Sequence, residues 1–246
     1  MYLVKLLSKD LKFFINIISF FIGANSFAQL SNVQFIENKG QWENNIVFKA
    51  KLPGGNLYLE QNELTYLFYN EQDMARLGDM HHHGIKNPTP NDFLLNLHAF
   101  KIQFLNAQTD QIIPSKPTTD YENYFIGNDP SKWASKVKKY GEATYKEIYK
   151  NINLKFYVKE NNLKYDFVVA PGGDVHQIQM SYNGVDEIVL KDGKLNITTS
   201  VNEIIEQKPF AYQFIKGKQK EVKCNFKLEN KVVSFDFPKG YDKTKE

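Results

Sequence analysis

The sequence predicts a mainly β protein, either an antiparallel β-sandwich or two stacked β subdomains, with one long irregular insertion at residues 70–96. Three observations carry that expectation. Apolar residues recur with a period of two in run after run, turn-forming residues punctuate the runs at short intervals, and no helical periodicity is long enough to organise a core. The clearest run is a hairpin: Leu154, Phe156 and Val158 alternate with Lys155 and Tyr157, and Leu163, Tyr165, Phe167 and Val169 resume the alternation after Lys159-Glu160-Asn161-Asn162.

In chain order, strands are expected over Val33 to Ile36, Ile46 to Ala50, Asn56 to Leu59, Leu64 to Tyr69 and Leu97 to Leu105, with Pro53-Gly54-Gly55 and Gln61-Asn62 as turns. Residues 70–96 carry Pro88, Pro90 and the run Asp79 to Gly84 without sustained alternation, and only Gln72 to Leu77 reads as a short helix. Pro114 to Asp120 reads as a second irregular link, which places a soft boundary near residue 118. Tyr145 to Tyr149 is compatible with one helical turn or a short strand. After the hairpin and its Pro171-Gly172-Gly173-Asp174 turn come Ile178 to Tyr182, then Ile188 to Leu190 and Leu195 to Ile197 around Asp192-Gly193, a pair suited to a type I′ turn. Phe210 to Ile215, Val222 to Leu228 and Val232 to Phe237 complete the set. The division is therefore residues 1–28, 29–118 and 119–246.

Residues 1–28 read as a signal peptide. Lys5, Lys9 and Lys12 precede the apolar stretch Phe13 to Ala24, and Ser26-Phe27-Ala28 offers a cleavage site that would leave Gln29 as the new terminus, open to pyroglutamate formation. The stretch is shorter than the roughly 20 residues of a membrane span, and no later window is long and uncharged, so no membrane span is expected after cleavage. The leader removes three lysines and Asp10, leaving 28 basic against 27 acidic residues. Such a balance argues against capture of nucleic acid or anionic lipid, and with Arg76 as the only arginine, bidentate readout of phosphate or guanine has no basis. Cys224 is the single cysteine, so no internal disulfide forms, and its phase with Val222 and Phe226 places the thiol on an apolar face.

Candidate chemistry is sparse. His81 and His83, with Asp79, are the candidate metal ligands: in an extended segment the two imidazoles share a side while His82 faces away. Against a dedicated site stands the reading of an exposed polar loop. His98 and His176 lie in phase with apolar neighbours and read as satisfied structural histidines. Glu37, Glu43, Asp129, Asp166 and Asp174 are the carboxylates available for hydrolytic chemistry, but turn capping and strand-end bonding are the commoner roles, and Asp166 reads as the solvent face of a strand. No nucleophile elbow, phosphate-binding loop, zinc-protease motif or ribbon spacing occurs. No catalytic residue and no cofactor is therefore assigned. Tyr121, Tyr124, Trp133 and Tyr140 cluster in the irregular centre and are the candidate ligand or partner contacts. The alternative is that Trp42 and Trp133 plug the ends of a sandwich.

Several segments are long enough to be diagnostic: Phe-Ile-Glu-Asn-Lys-Gly-Gln-Trp at Phe35 to Trp42, Asn-Tyr-Phe-Ile-Gly-Asn-Asp-Pro-Ser-Lys-Trp at Asn123 to Trp133, Tyr140-Gly141, Leu163 to Asp174, and Gln207 to Gln213. Together they resemble the N-terminal domain, of unknown function, of large secreted Bacteroidetes-type proteins associated with gliding motility and type IX secretion. Lys150-Asn151 stands where members of that family commonly have a Pro-Gly turn. The resemblance implies β-propeller (SBBP-type) repeats or PKD-like and immunoglobulin-like modules downstream. The chain is accordingly expected to be either the head of a longer reading frame or a shortened relative that acts after export. The implied role is a non-catalytic structural or interaction module, adhesin-like, at the cell surface or in the periplasm. Downstream repeats, envelope proteins or glycans would be its partners. A carbohydrate-binding or carbohydrate-cleaving module and a weak metal-binding domain are the alternatives.

Overall fold

The structure, a computed structural model, describes residues 13–17, 20–21, 33–85, 87–109, 111–159 and 162–244. Two strands come from the apolar N-terminal segment, β1 (Phe13–Ile17) and β2 (Phe20–Phe21). β3 (Phe35–Glu37), β4 (Ile46–Leu52), β5 (Gly55–Glu60), β6 (Glu63–Tyr69) and β7 (Leu97–Phe104) form the first half, with the helix α1 (Glu71–His83) between β6 and β7. β8 (Ile112–Tyr124), β9 (Ala134–Tyr149), β10 (Ile152–Lys159) and β11 (Asn162–Val169) follow, then β12 (Met180–Asn183), β13 (Glu187–Lys191), β14 (Lys194–Thr198) and β15 (Glu203–Glu206). The last are β16 (Pro209–Ile215), β17 (Lys218–Val222), β18 (Asn225–Glu229) and β19 (Val232–Asp236).

Among the described residues, the strands make a 15-stranded antiparallel sheet and a smaller 4-stranded one, as the alternation predicts. The large sheet runs β17-β16-β1-β11-β10-β9-β3-β4-β5-β6-β7-β12-β19-β18, with β8 on β9, and the small one runs β13-β14-β15-β2. The large sheet is folded over on itself. β11 and β19 are nine strands apart in this order, about 43 Å if flat, yet the rings of Phe167 and Phe235 are 5.9 Å apart. Phe104 of β7 and Tyr145 of β9 meet in the same way, at 6.0 Å. The two layers thus share one core, which draws Phe35, Phe48, Leu57, Tyr66, Phe100, Phe156 and Phe167 together from both halves of the chain.

Turn chemistry fixes the hairpins. Asp192 and Gly193 both have positive φ, as a type I′ turn requires, and Lys216-Gly217 and Asn230-Lys231 do the same. Between β4 and β5, Pro53 presets its φ and Gly54 takes +68°.

Four expectations need correction. Residues 70–96 are not irregular throughout: α1 is capped by Asn70, whose side chain accepts the Asp73 N–H, and ends at Gly84 with φ +72°. Its lack of any buried residue explains why no apolar stripe announces it. Arg76 fastens it to the following loop, donating to Asp73 Oδ1 at 2.9 Å and to the backbone carbonyls of Asp92 and Leu94, while Asp73 Oδ2 accepts the Asn96 N–H. Pro114 to Asp120 is not an irregular link but part of β8, which runs through residue 118 and among the described strands pairs only with β9, leaving an open edge of the kind where proline is tolerated. Of the two readings of Tyr145 to Tyr149 the strand holds, as the end of β9. The run Val222 to Leu228 is two strands: β17 pairs with β16, β18 pairs with β19, and the chain crosses between layers at Lys223-Cys224. The Cys224 thiol is partly buried and pushed up to about 12, chiefly by desolvation. Asp166 is buried, not solvent-facing. The cleavage site at Ser26-Phe27-Ala28, Gln29, and the turn residues Glu160 and Asn161 lie outside the described residues.

Candidate interaction site

The segments Phe35 to Trp42 and Asn123 to Trp133 meet in space. β3 pairs with the middle of β9, Phe35 opposite Tyr140, and the loop after β3 is wound around Asn38. That amide donates to the carbonyls of Glu43 and Ile46 at 3.0 and 2.8 Å, and its oxygen accepts from the N–H groups of Gly40 and Trp42. Gly40, at φ +101°, makes the tight return possible. Trp42 is thereby laid edge-on against Tyr124 at 5.4 Å, and the pair packs on Ile36, Ala134 and Val137 as a cluster separate from the main core. Glu37 accepts the Lys138 N–H at 3.0 Å and the Tyr140 hydroxyl at 3.4 Å, and Lys39 donates to the Ser135 carbonyl at 3.1 Å.

This cluster supports an arm, the end of β8 paired with the start of β9, and residues 125–133 form its tip. The tip is an ordered turn. Asp129 accepts the N–H and hydroxyl of Ser131, Trp133 N–H donates to the Pro130 carbonyl, and the Trp133 indole N–H donates to the Gly127 carbonyl at 3.2 Å. Its outer surface is apolar: Phe125 and Trp133 meet edge to face at 5.9 Å, Ile126 is 77 % exposed, Trp133 44 %, and Tyr121 is exposed on the adjoining strand. Hydrogen-bonded backbone beneath exposed aromatic and aliphatic side chains is the make-up of a contact surface.

Of the four predicted contact residues, Tyr121 and Trp133 are exposed here, whereas Tyr124 and Tyr140 are half-buried supports. Tyr124 donates to Glu122, and burial and that carboxylate push its hydroxyl pKa up. Trp133 does not plug a sandwich end as the alternative held. Phe125 and Ile126, which the sequence reading passed over, are the most exposed apolar residues of the tip.

His81, His82 and His83 form the last turn of α1, where successive side chains point about 100° apart. The extended geometry that would have let His81 and His83 share an ion is therefore absent, and among the described residues no group of three metal-ligating side chains with Asp79 or any other residue comes together. His98 has both ring nitrogens engaged, with the Gly184 carbonyl at 2.7 Å and Ser200 at 2.9 Å. Asp129 and Asp174 cap 3-10 turns.

Residues 35–246 match the model of a domain of unknown function, DUF7948. The chain belongs to that family. No curated protein and no solved structure matches it. The matched span takes in both meeting segments, so the arm and its supporting cluster are parts of the DUF7948 domain.

Two of the buried carboxylates in this DUF7948 domain, Glu206 and Asp166, have their pKa values raised by burial, and of the two only Asp166 stands among the carboxylates the sequence offers. Glu206 on β15 is 2 % exposed and accepts hydroxyls from Tyr182 of β12 at 2.7 Å and Tyr165 of β11 at 2.8 Å, tying the small sheet to both layers of the large one. Burial raises its pKa, against the pull of the two hydroxyls. Its phase with buried Ile204 is the one signal that it faces inward. Asp166 accepts from Tyr157 at 3.2 Å, and desolvation pushes its carboxyl up to about 7. A folded-state pKa above the unfolded value favours the protonated native state, so this contribution is fully present below about pH 4 and is lost as the pH rises to 7. The stability of the DUF7948 domain is therefore expected to fall by about 2–3 kcal/mol between pH 5 and pH 8. Urea unfolding at the two values measures it, and Asp166→Asn should flatten the difference; an unchanged pH dependence in the variant would assign it elsewhere.

Proposed function

We propose that this chain is a non-catalytic interaction module of an exported bacterial envelope or cell-surface protein, adhesin-like, and that it binds its partner through the tip of the β8–β9 arm. The observation that carries this reading is the exposed apolar surface of Tyr121, Phe125, Ile126 and Trp133 on a hydrogen-bonded turn with its own supporting cluster. Export is supported by the composition of residues 1–28, and the surface context by the resemblance to leading domains of secreted repeat proteins. The candidate carboxylates Glu37, Asp129 and Asp174 are engaged in backbone bonding that holds the fold, which favours binding over hydrolysis. Exposed Trp133 and Tyr121 also favour a second reading, stacking on a glycan of the envelope.

The test is co-sedimentation of the labelled protein with envelope vesicles from a gliding bacterium, before and after protease treatment of the vesicles. Joint substitution Phe125→Ser, Ile126→Ser and Trp133→Ala is expected to weaken binding about tenfold or more while lowering stability by no more than about 2 kcal/mol, the worth of the Trp133 indole bond and its pair with Phe125. Binding that survives protease and is competed by soluble envelope polysaccharide would replace the protein-partner reading with the glycan one. Binding unaffected by the triple substitution would remove the tip from the account.

A further inference from the structure

β1 lies between β11 and β16, antiparallel to both: Phe13 to Ile17 pair with Val169 to Tyr165 on one side, and Phe14 to Ile17 with Tyr212 to Pro209 on the other. In the strand pairings of the described residues, β16 and its partner β17 join the large sheet through β1, and Gln213 of β16 also holds Asp242 by two side-chain bonds at 2.9 Å. A little further on, Phe20 and Phe21 pair with Glu206 and Ile205 of β15. A segment whose composition is that of a removable export leader thus occupies an interior position of the sheet.

If residues 1–28 are removed, that position empties. β11 and β16 run parallel to each other and stand two strand spacings apart, about 9.6 Å, too far to bond across. The residues beside the gap include the buried Phe167 and Val169 of β11 and Ala211 of β16. Unpaired backbone groups at a buried edge cost about 1–3 kcal/mol each. The chain's own new terminus cannot replace β1: only residues 29–32 would precede Val33, fewer than the 5 residues of β1, and they would start from β3, four strands away in the order of the sheet. What fits is another strand, with N–H and C=O groups at strand spacing on both sides. The resident Phe-Phe-Ile-Asn-Ile supplies its pattern, uncharged and apolar at four of five positions.

We propose that the gap between β11 and β16 is a strand-acceptor site, which in the exported protein takes up an extended, uncharged, apolar segment of a second polypeptide, antiparallel to both walls. This rests on the export reading above. The bound segment docks the β16–β17 hairpin and completes the large sheet.

The experiment uses the full chain with a protease site inserted between Ala28 and Gln29. After cutting, a fluorescent synthetic peptide of residues 11–19 is titrated in and its anisotropy followed. The expected result is saturable one-to-one binding with displacement of the cut 1–28 fragment, renewed protection of β16 amides from hydrogen exchange, and binding about tenfold weaker for a peptide carrying Ile15→Pro, which lacks one ladder N–H. Equal binding of the two peptides overturns the proposal. So does a cut chain that sheds its fragment, keeps β16 protected and ignores the peptide, because the gap has then closed on itself; self-association that fills the gap in place of the peptide counts against it equally. The mass of the chain recovered from cells separates the two readings: retention of Met1 sinks the export reading, whereas the titration reports on the gap alone.

Discussion

Glu206→Ala is expected to destabilise the protein by about 3–6 kcal/mol, because it strips the acceptor from two tyrosine hydroxyls, one of them fully buried, and leaves a cavity where three strands meet. Tyr182 is fully buried, and both it and Tyr165 aim at this one carboxylate from opposite layers of the large sheet. Glu206→Gln keeps the shape and one acceptor oxygen and should cost no more than about 2 kcal/mol. Urea unfolding of the two variants reads the difference. If alanine and glutamine cost the same, the pair of tyrosine bonds is not what holds the small sheet in place. The sign with pH follows from the raised folded-state pKa: protonation of Glu206 favours the native state, so its burial weighs least against stability in acid.

Gly55→Ala is expected to be the most damaging single-methyl addition, at about 2–4 kcal/mol. Gly55 opens β5 opposite Leu52 and Phe68, and a Cβ built there would lie 2.2 Å from the Leu67 carbonyl oxygen and 2.8 Å from the Phe68 ring. The first of these neighbours is backbone in the middle of β6 and cannot step aside without breaking the ladder. Gly54 precedes it in the left-handed region but meets nothing within 4 Å, so its substitution is strained by backbone conformation alone. Thermal unfolding that ranks Gly54→Ala as the worse of the two would show that conformation, not close approach, governs this turn.

The strands with one buried face and a turn of fixed chemistry are legible in the sequence, as the β10–β11 and β13–β14 hairpins demonstrate. Reading fails where a strand breaks that pattern. β8 hides behind two prolines that an unpaired edge tolerates, and β11 buries Lys164 and Asp166 on the face that alternation assigns to solvent. The break between β17 and β18 is invisible because Val222, Cys224, Phe226 and Leu228 keep perfect phase through the crossover, which is a property of the layers and not of the local chain. At the candidate site, the sequence groups Tyr121, Tyr124, Trp133 and Tyr140 without separating the exposed members from the half-buried ones. Tyr124 and Trp133 are equally aromatic, and only the contact with Trp42 decides which of them is the support.

The large sheet begins with β17 and ends with β18, and two residues of chain connect them. Those outermost strands are sequence neighbours, but the interior is stitched by distant partners: Phe35 with Tyr140, Phe104 with Met180, Met180 with Val233. Each such pairing closes a loop of many tens of residues before any contact rewards it, which places folding in the slow, millisecond-to-second regime of high contact order. In a chain built this way β3 and β7 cannot take their distant partners until β9 and β12 have been made, so the large sheet closes late in synthesis.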